Sequence, residues 1–178
     1  MPKLLNLQPA LKPQDLFVLL ALIARGAKPA GYAELAAQTG LAVSALHASL
    51  KRAELSRLLM FEARRPTVFR AQLQEFVLHG AKYAFPAVSG GLSRGVPTGY
   101  AAPPLNALIA ASSDPVPVWP SAHGTVRGLA LAPLYPTAPN AALRDPLLYE
   151  LLALFDAVRS GRARERNAAS DLLVAHFK

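Results

Sequence analysis

The chain has 178 residues, 52% of them hydrophobic, with nineteen Lys and Arg against eleven Asp and Glu and no cysteine. That length allows one medium domain or two small ones with a core that needs no covalent staples, and the missing thiols exclude disulfides and thiolate metal sites. A net charge of +8 favours polyanionic partners, and the longest apolar run, nine residues at Leu16–Ala24, falls well short of the roughly 18 that a membrane-spanning helix needs.

The first element is built on that run. Lys3 and Lys12 precede it as they would a signal-peptide core, but Asp15 abuts it, Arg25 follows at once and no small-residue cleavage site is present. It reads as a buried helix, and a cytoplasmic protein without membrane contact is expected. Lys12-Pro13-Gln14-Asp15 starts the helix, with proline near the first turn and an acid at the positive end of the dipole. Arg25, Gly26 and Pro29 end it.

Tyr32–Ala53 holds two short helical patterns hinged on one glycine. Tyr32–Thr39 puts Leu35 and Ala36 on one side, and Gly40 supplies a left-handed turn that a β-carbon would resist. Over Ser44–Ala53, a rotation of 100° per residue turns Leu46, Ser49, Leu50 and Ala53 inward. The other face carries Ser44, Ala48 and Lys51, with His47 and Arg52 on its shoulders; Leu55 would be exposed, so the helix is expected to end or bend before it. Small and polar groups at a helix start suit base edges and thymine methyls.

Two β-compatible runs, Leu58–Ala63 and Thr67–Phe69, then flank Arg64-Arg65-Pro66, which predicts a hairpin with a basic tip. A helix over Ala71–Tyr83 buries Leu73, Phe76, Val77 and Ala81. Here the chain resembles winged helix-turn-helix proteins, most closely the MarR-like bacterial regulators. The likeness rests on Glu34-Leu35-Ala36, Gly40-Leu41, then Ser44, Leu46 and Leu50, and covers about residues 11 to 70. It implies a recognition helix that enters the major groove and a wing, carrying Arg64 and Arg65, that touches the minor groove or backbone. Two features depart from the pattern: Ala42 stands where Ser or Thr would cap the recognition helix, and the middle of the chain is foreign to that family.

That middle zone holds eleven of the sixteen prolines, between Pro86 and Pro146, yet it also carries Val116, Val118, Trp119, Leu129, Leu131, Leu134 and Tyr135, which must dock somewhere. Val116–Trp119 and Thr125–Ala132 read as short strands around a Ser121–Gly124 turn, with irregular coil elsewhere and Trp119 anchoring it to the core. Ser89-Gly90-Gly91-Leu92-Ser93-Arg94-Gly95 lacks the ending of a phosphate loop and reads as a surface turn. Asp145-Pro146 then caps a helix with Leu148, Leu151, Leu152, Phe155 and Val158 on its apolar face, ending near Gly161; a last helix spans Arg162–Phe177. Arg159, Arg162, Arg164 and Arg166 read as a solvated face.

The fold class expected is therefore mainly α with small β: a winged helix-turn-helix over residues 1–85, then a proline-rich wrap with a short hairpin and a C-terminal helical pair over 86–178. Six basic residues against two acids between Lys51 and Arg70 weigh for DNA over a purely structural helix pair. Five or six phosphate contacts there would give a log–log salt slope of about minus five.

Histidines 47, 79, 123 and 176 show no metal spacing, Glu75 and His79 one turn apart read as an ion pair or a core-edge contact, and no nucleophile with a base, paired carboxylates or nucleotide fingerprint appears. No enzyme activity, metal or cofactor is expected. The expected function is a sequence-specific double-stranded DNA-binding regulator, a repressor acting as a homodimer on a palindromic site. Ser44, His47, Ala48, Lys51 and Arg52 would read DNA, and Arg57, Arg64 and Arg65 would hold its backbone or minor groove. The alternative is an antitoxin-like or other protein-interaction module whose proline-rich segment, within residues 86–178, binds a protein partner.

Overall fold

The computed structural model describes residues 10–28, 31–110 and 114–178. Helices dominate, with two small sheets. The first helix, α1 (Pro13–Arg25), begins as expected, with the Lys12 N–H donating to Asp15 Oδ2 at 2.9 Å, and its residues 15–23 are buried throughout. It crosses α2 (Tyr32–Thr39) and α3 (Val43–Leu55), which are joined by Gly40 at φ +70°. Leu46, Ser49, Leu50 and Ala53 all point inward. The helix does not stop before Leu55: it runs through that residue, whose side chain stands 65% exposed at the last turn.

The hairpin is shifted from its expected place. β1 (Leu59–Glu62) pairs antiparallel with β2 (Arg65–Val68), so Arg65 and Pro66 belong to a strand and Ala63-Arg64 alone form the tip. Both tip residues have positive φ, 47° and 65°, the backbone that tight two-residue hairpins require for a twist matching their strands. The next helical stretch runs without a gap over residues 70–84, one residue beyond the expected helix at each end, but changes its winding midway: α4 (Arg70–Glu75), a π turn over Phe76–Gly80, then α5 (Ala81–Ala84). Leu73, Val77 and Ala81 still reach the core, while Phe76 is half-buried and meets the Phe85 ring edge-on. Glu75 and His79 are both exposed and form no ion pair.

The proline-rich zone is not loose coil, and the Ser89–Gly95 segment is not a surface turn. It forms β3 (Ser89–Pro97), the longest strand described. This strand pairs antiparallel with both β4 (Pro117–Pro120) and β5 (Val126–Leu131), and β4 and β5 pair parallel with each other, closing a three-stranded barrel. The expected hairpin around Ser121–Gly124 therefore does not exist. β4 and β5 run the same way along β3, and the turn between them carries the chain across it. Such a small closure brings backbones into direct contact: a β-carbon on Gly95 would collide with the Trp119 carbonyl, and one on Gly124 with Gly95 itself. Glycine at these crossings is a packing requirement.

A short α6 (Leu105–Leu108) and α7 (Ala138–Ala142) lead to α8 (Pro146–Ser160), capped by Asp145 Oδ1 accepting from the N–H groups of Leu147 and Leu148 at 3.1 Å each. α9 (Ala163–His176) packs on α8. α8 is the centre of the molecule, with Leu148 through Val158 almost wholly buried apart from its half-buried Tyr149 and Glu150 turn, and it meets α1 on one side. One hydrophobic cluster runs from Leu16 through Leu50 and Trp119 to Leu173, across the division expected near residue 85.

The barrel is pinned to α8 by polar contacts. Asp156 Oδ2 accepts from Thr98 Oγ1 at 2.7 Å and Trp119 Nε1 at 2.6 Å, and Oδ1 from Arg159 Nε at 2.8 Å. Burial pushes this carboxyl upward, opposed by the Arg159 charge and the three donors. Tyr149 donates to the Pro97 carbonyl at 2.6 Å, and desolvation raises its phenol to about 12. Trp119 is thus a core anchor, as expected, but Arg159 does not lie on a solvated face: its side chain is 4% exposed and also donates to the Ala132 carbonyl. Arg162 pairs with Asp114, and Arg166 bonds the Gly161 carbonyl. Among the described residues no helix is long and apolar enough to cross a membrane.

Candidate nucleic-acid interface

The outer face of α3 follows from its inner one. With Leu46, Ser49, Leu50 and Ala53 held in the core, the helix turns Ser44, His47, Ala48 and Lys51 outward, all exposed. Val43, 50% exposed, adds an apolar group at the start of the same helix. His47 rests against the Tyr32 ring, centroids 5.2 Å apart, which ties the middle of this face to the start of α2.

Two side chains on α1 set the pose of α3. Gln14 Nε2 donates to the Ala45 carbonyl at 3.0 Å and to Ser49 Oγ at 2.7 Å. Asp15, fully buried, accepts from Arg52 through two bonds, Nε to Oδ2 at 2.8 Å and Nη2 to Oδ1 at 2.6 Å. The hydrogen bond to Asp15 holds the guanidinium pKa above its usual value.

Arg52 is consequently removed from the expected reading set. A bidentate contact to a buried carboxylate occupies its planar fork, and pulling it away would strand a charge in the core. By its place in the sequence Asp15 is an acid at a helix start; it has that role and the pairing with Arg52, 37 residues later, at once. An acid at the edge of an apolar run, where burial demands a cation, was the available signal. Gln14 carried no signal of its own.

The remaining cations sort cleanly. Arg70 Nη1 donates to the His176 carbonyl at 3.0 Å and is structural. Lys51, Arg57, Arg64 and Arg65 are exposed and have no side-chain hydrogen bond or ion pair among the described residues. Arg57 and Arg64 sit at φ +56° and +65°, conformations that cost a residue with a β-carbon about 1–2 kcal/mol each. Arg57 follows the end of α3 and Arg64 tips the hairpin that comes next, so both strained positions carry an exposed arginine. Glu62 stands opposite Arg65 in the hairpin register and is the acid of that edge. The expected cluster of six cations is thereby four available ones and two that hold the fold.

A cleft of about 350 Å³ lies between the end of α1 and β2, lined by Arg25, Lys28, Arg65 and Arg70 with Ile23 and Val68. Among the described residues no group of three or more His, Asp or Glu comes together in a way that would hold a metal ion. No protein-family model, curated protein or solved structure matches this chain.

Proposed function

We propose that this chain is a sequence-specific double-stranded DNA-binding protein of the winged helix-turn-helix kind, a transcriptional repressor acting as a dimer and not an enzyme. The observation that supports it most is the company of α3. A helix start bearing Ser44, His47 and Ala48 lies exposed, and the unpartnered Lys51, Arg57, Arg64 and Arg65 follow along it and onto the hairpin. The small groups fit base edges and the cations fit phosphates. Gln14 and Asp15 hold the helix rigid from behind, which a reading surface needs if its contacts are to keep register.

Four phosphate contacts, with Arg52 and Arg70 excluded, bring the expected log–log salt slope to about −4. The antitoxin-like alternative asks the middle zone to wrap a partner. That zone already buries Val118, Trp119, Leu131 and Leu134 inside the folded chain, which weighs against it.

A gel shift on the DNA upstream of the protein's own coding region, at two salt concentrations and with nonspecific competitor, tests the reading. Binding that survives competitor supports it. The double variant Lys51→Ala/Arg64→Ala is expected to lose duplex binding with an unchanged melting temperature, and unaltered DNA affinity in that variant would sink the proposal.

A further inference from the structure

We propose that the barrel and α7 supply a second basic strip, which binds the phosphate backbone of the same duplex beyond the N-terminal end of α3. This rests on the DNA-binding reading of α3 and extends it to a part of the chain foreign to winged regulators. The hairpin extends the C-terminal end of α3. At the other end, the turn at Gly40 packs against Thr137 at the start of α7, and His123 from the turn between β4 and β5 lines one groove with them. Thr137 Oγ1 donates to the Thr39 carbonyl at 2.7 Å, and Asn140 and Arg144 line that groove as well. Asn140, His123 and Arg144 are all exposed.

The strip continues from this groove onto the sheet. His123 precedes Gly124, whose carbonyl accepts from Arg94 Nε at 2.6 Å. Arg94 in turn lies directly opposite Arg127 in the β3–β5 register, and both are exposed. Two like charges directly opposite across antiparallel strands destabilise a sheet on their own, and the cost disappears when an anion sits over them. None of Arg94, Arg127 and Arg144 forms an ion pair among the described residues; Arg144 donates to the Asn140 and Gln38 carbonyls at 3.2 and 3.5 Å but, unlike the half-buried Arg70, stays exposed with its charge unneutralised. The neighbouring acid, Asp145, is turned away to cap α8 and to accept from Gln38.

The dimensions agree with a shared duplex. α3 has 13 residues, about 20 Å of helix, so basic groups beyond both of its ends would span about six base pairs or more of backbone. Arg144 and the arginine pair are point contacts without base-reading partners, which assigns them to phosphate and not to sequence. An acidic protein surface could use the same cations, and the test separates the two.

Binding is measured by fluorescence anisotropy on a mixed-sequence duplex of about 20 base pairs across a salt series. Arg127→Ala/Arg144→Ala should lower the log–log slope by about two. Lys51→Ala/Arg64→Ala should also lower it by about two, and the two losses should add, since both sets of cations lie on one duplex.

A second variant guards against loss of fold. Arg127→Glu places an acid opposite Arg94, so its melting temperature should hold or rise while affinity for the duplex falls about tenfold or more. Wild-type slope in both strip variants would overturn the proposal and leave an acidic protein as the partner of these cations. If the strip variants lose binding while Lys51→Ala/Arg64→Ala does not, the α3 reading falls, and with it the claim that strip and helix share one duplex. If the wild-type chain does not bind the duplex, both fall.

Discussion

Two buried aspartates hold the two halves of this molecule, and they do it differently. Asp15 sits under α3 and reaches outward to Arg52, whose side chain is still 19% exposed. Asp156 sits under the barrel and is closed in by Thr98, Trp119 and Arg159, the last only 4% exposed. The first pair fixes one helix from its back and leaves that helix's other face open. The second is sealed on every side and welds a sheet to the central helix. The contrast separates a part built to present a surface from a part built to stay shut.

Removing each acid measures the difference. Asp156→Ala leaves the Arg159 guanidinium buried with only backbone carbonyls and strips Trp119 and Thr98 of their acceptor; it is expected to cost about 3–5 kcal/mol. Urea denaturation followed by Trp119 fluorescence reads that loss directly. Asp15→Ala frees Arg52 at a site from which it can swing into water, so the expected loss is smaller, about 2 kcal/mol. Its larger effect should be on function: with α3 no longer pinned, specific DNA affinity should fall by more than nonspecific affinity. Equal stability losses in the two variants would erase the distinction between the halves. An unchanged ratio of specific to nonspecific binding in Asp15→Ala would show that α3 does not depend on its anchor.

The same contrast explains what periodicity was able to foretell. α2, α3 and α9 each bury positions at helical spacing, and α1 and α8 are apolar runs buried on nearly every side, so local sequence marks each of these helices and, for the first three, the inner face. The outward set of Ser44, His47, Ala48 and Lys51 follows from that alone. The barrel has no such local rule. Ser89-Gly90-Gly91 reads as a turn because glycine is usually conformational freedom, whereas Gly95 and Gly124 serve here to let backbones touch. Their partners, Trp119 and Gly95, lie outside any window that a periodicity scan covers. Arg52 failed for the same reason: its neighbour in space is 37 residues away in the chain. Arg144 and His123 reach the Gly40 turn only through long-range packing, so nothing around them in sequence marks them.

Helix starts give the finest form of the comparison. α8 opens on Asp145, whose carboxylate takes two backbone N–H groups. α3 opens on Ala42, in the extended conformation of a cap (φ −65°, ψ 145°) but with no side chain able to accept. Ala42→Ser places an oxygen within reach of the N–H groups of Ser44 and Ala45, and since Ala42 is exposed the hydroxyl displaces nothing. The expected gain is about 1 kcal/mol, a rise of about 2–4 °C in melting temperature for a chain of this size. No rise would mean that Gln14 at Ala45 and Ser49, with Asp15 at Arg52, already fixes the first turns of α3 from behind. A rise accompanied by weaker duplex binding would mean that the open N–H groups at this helix start are themselves used by the DNA, since a hydroxyl that caps them competes with phosphate for the same donors.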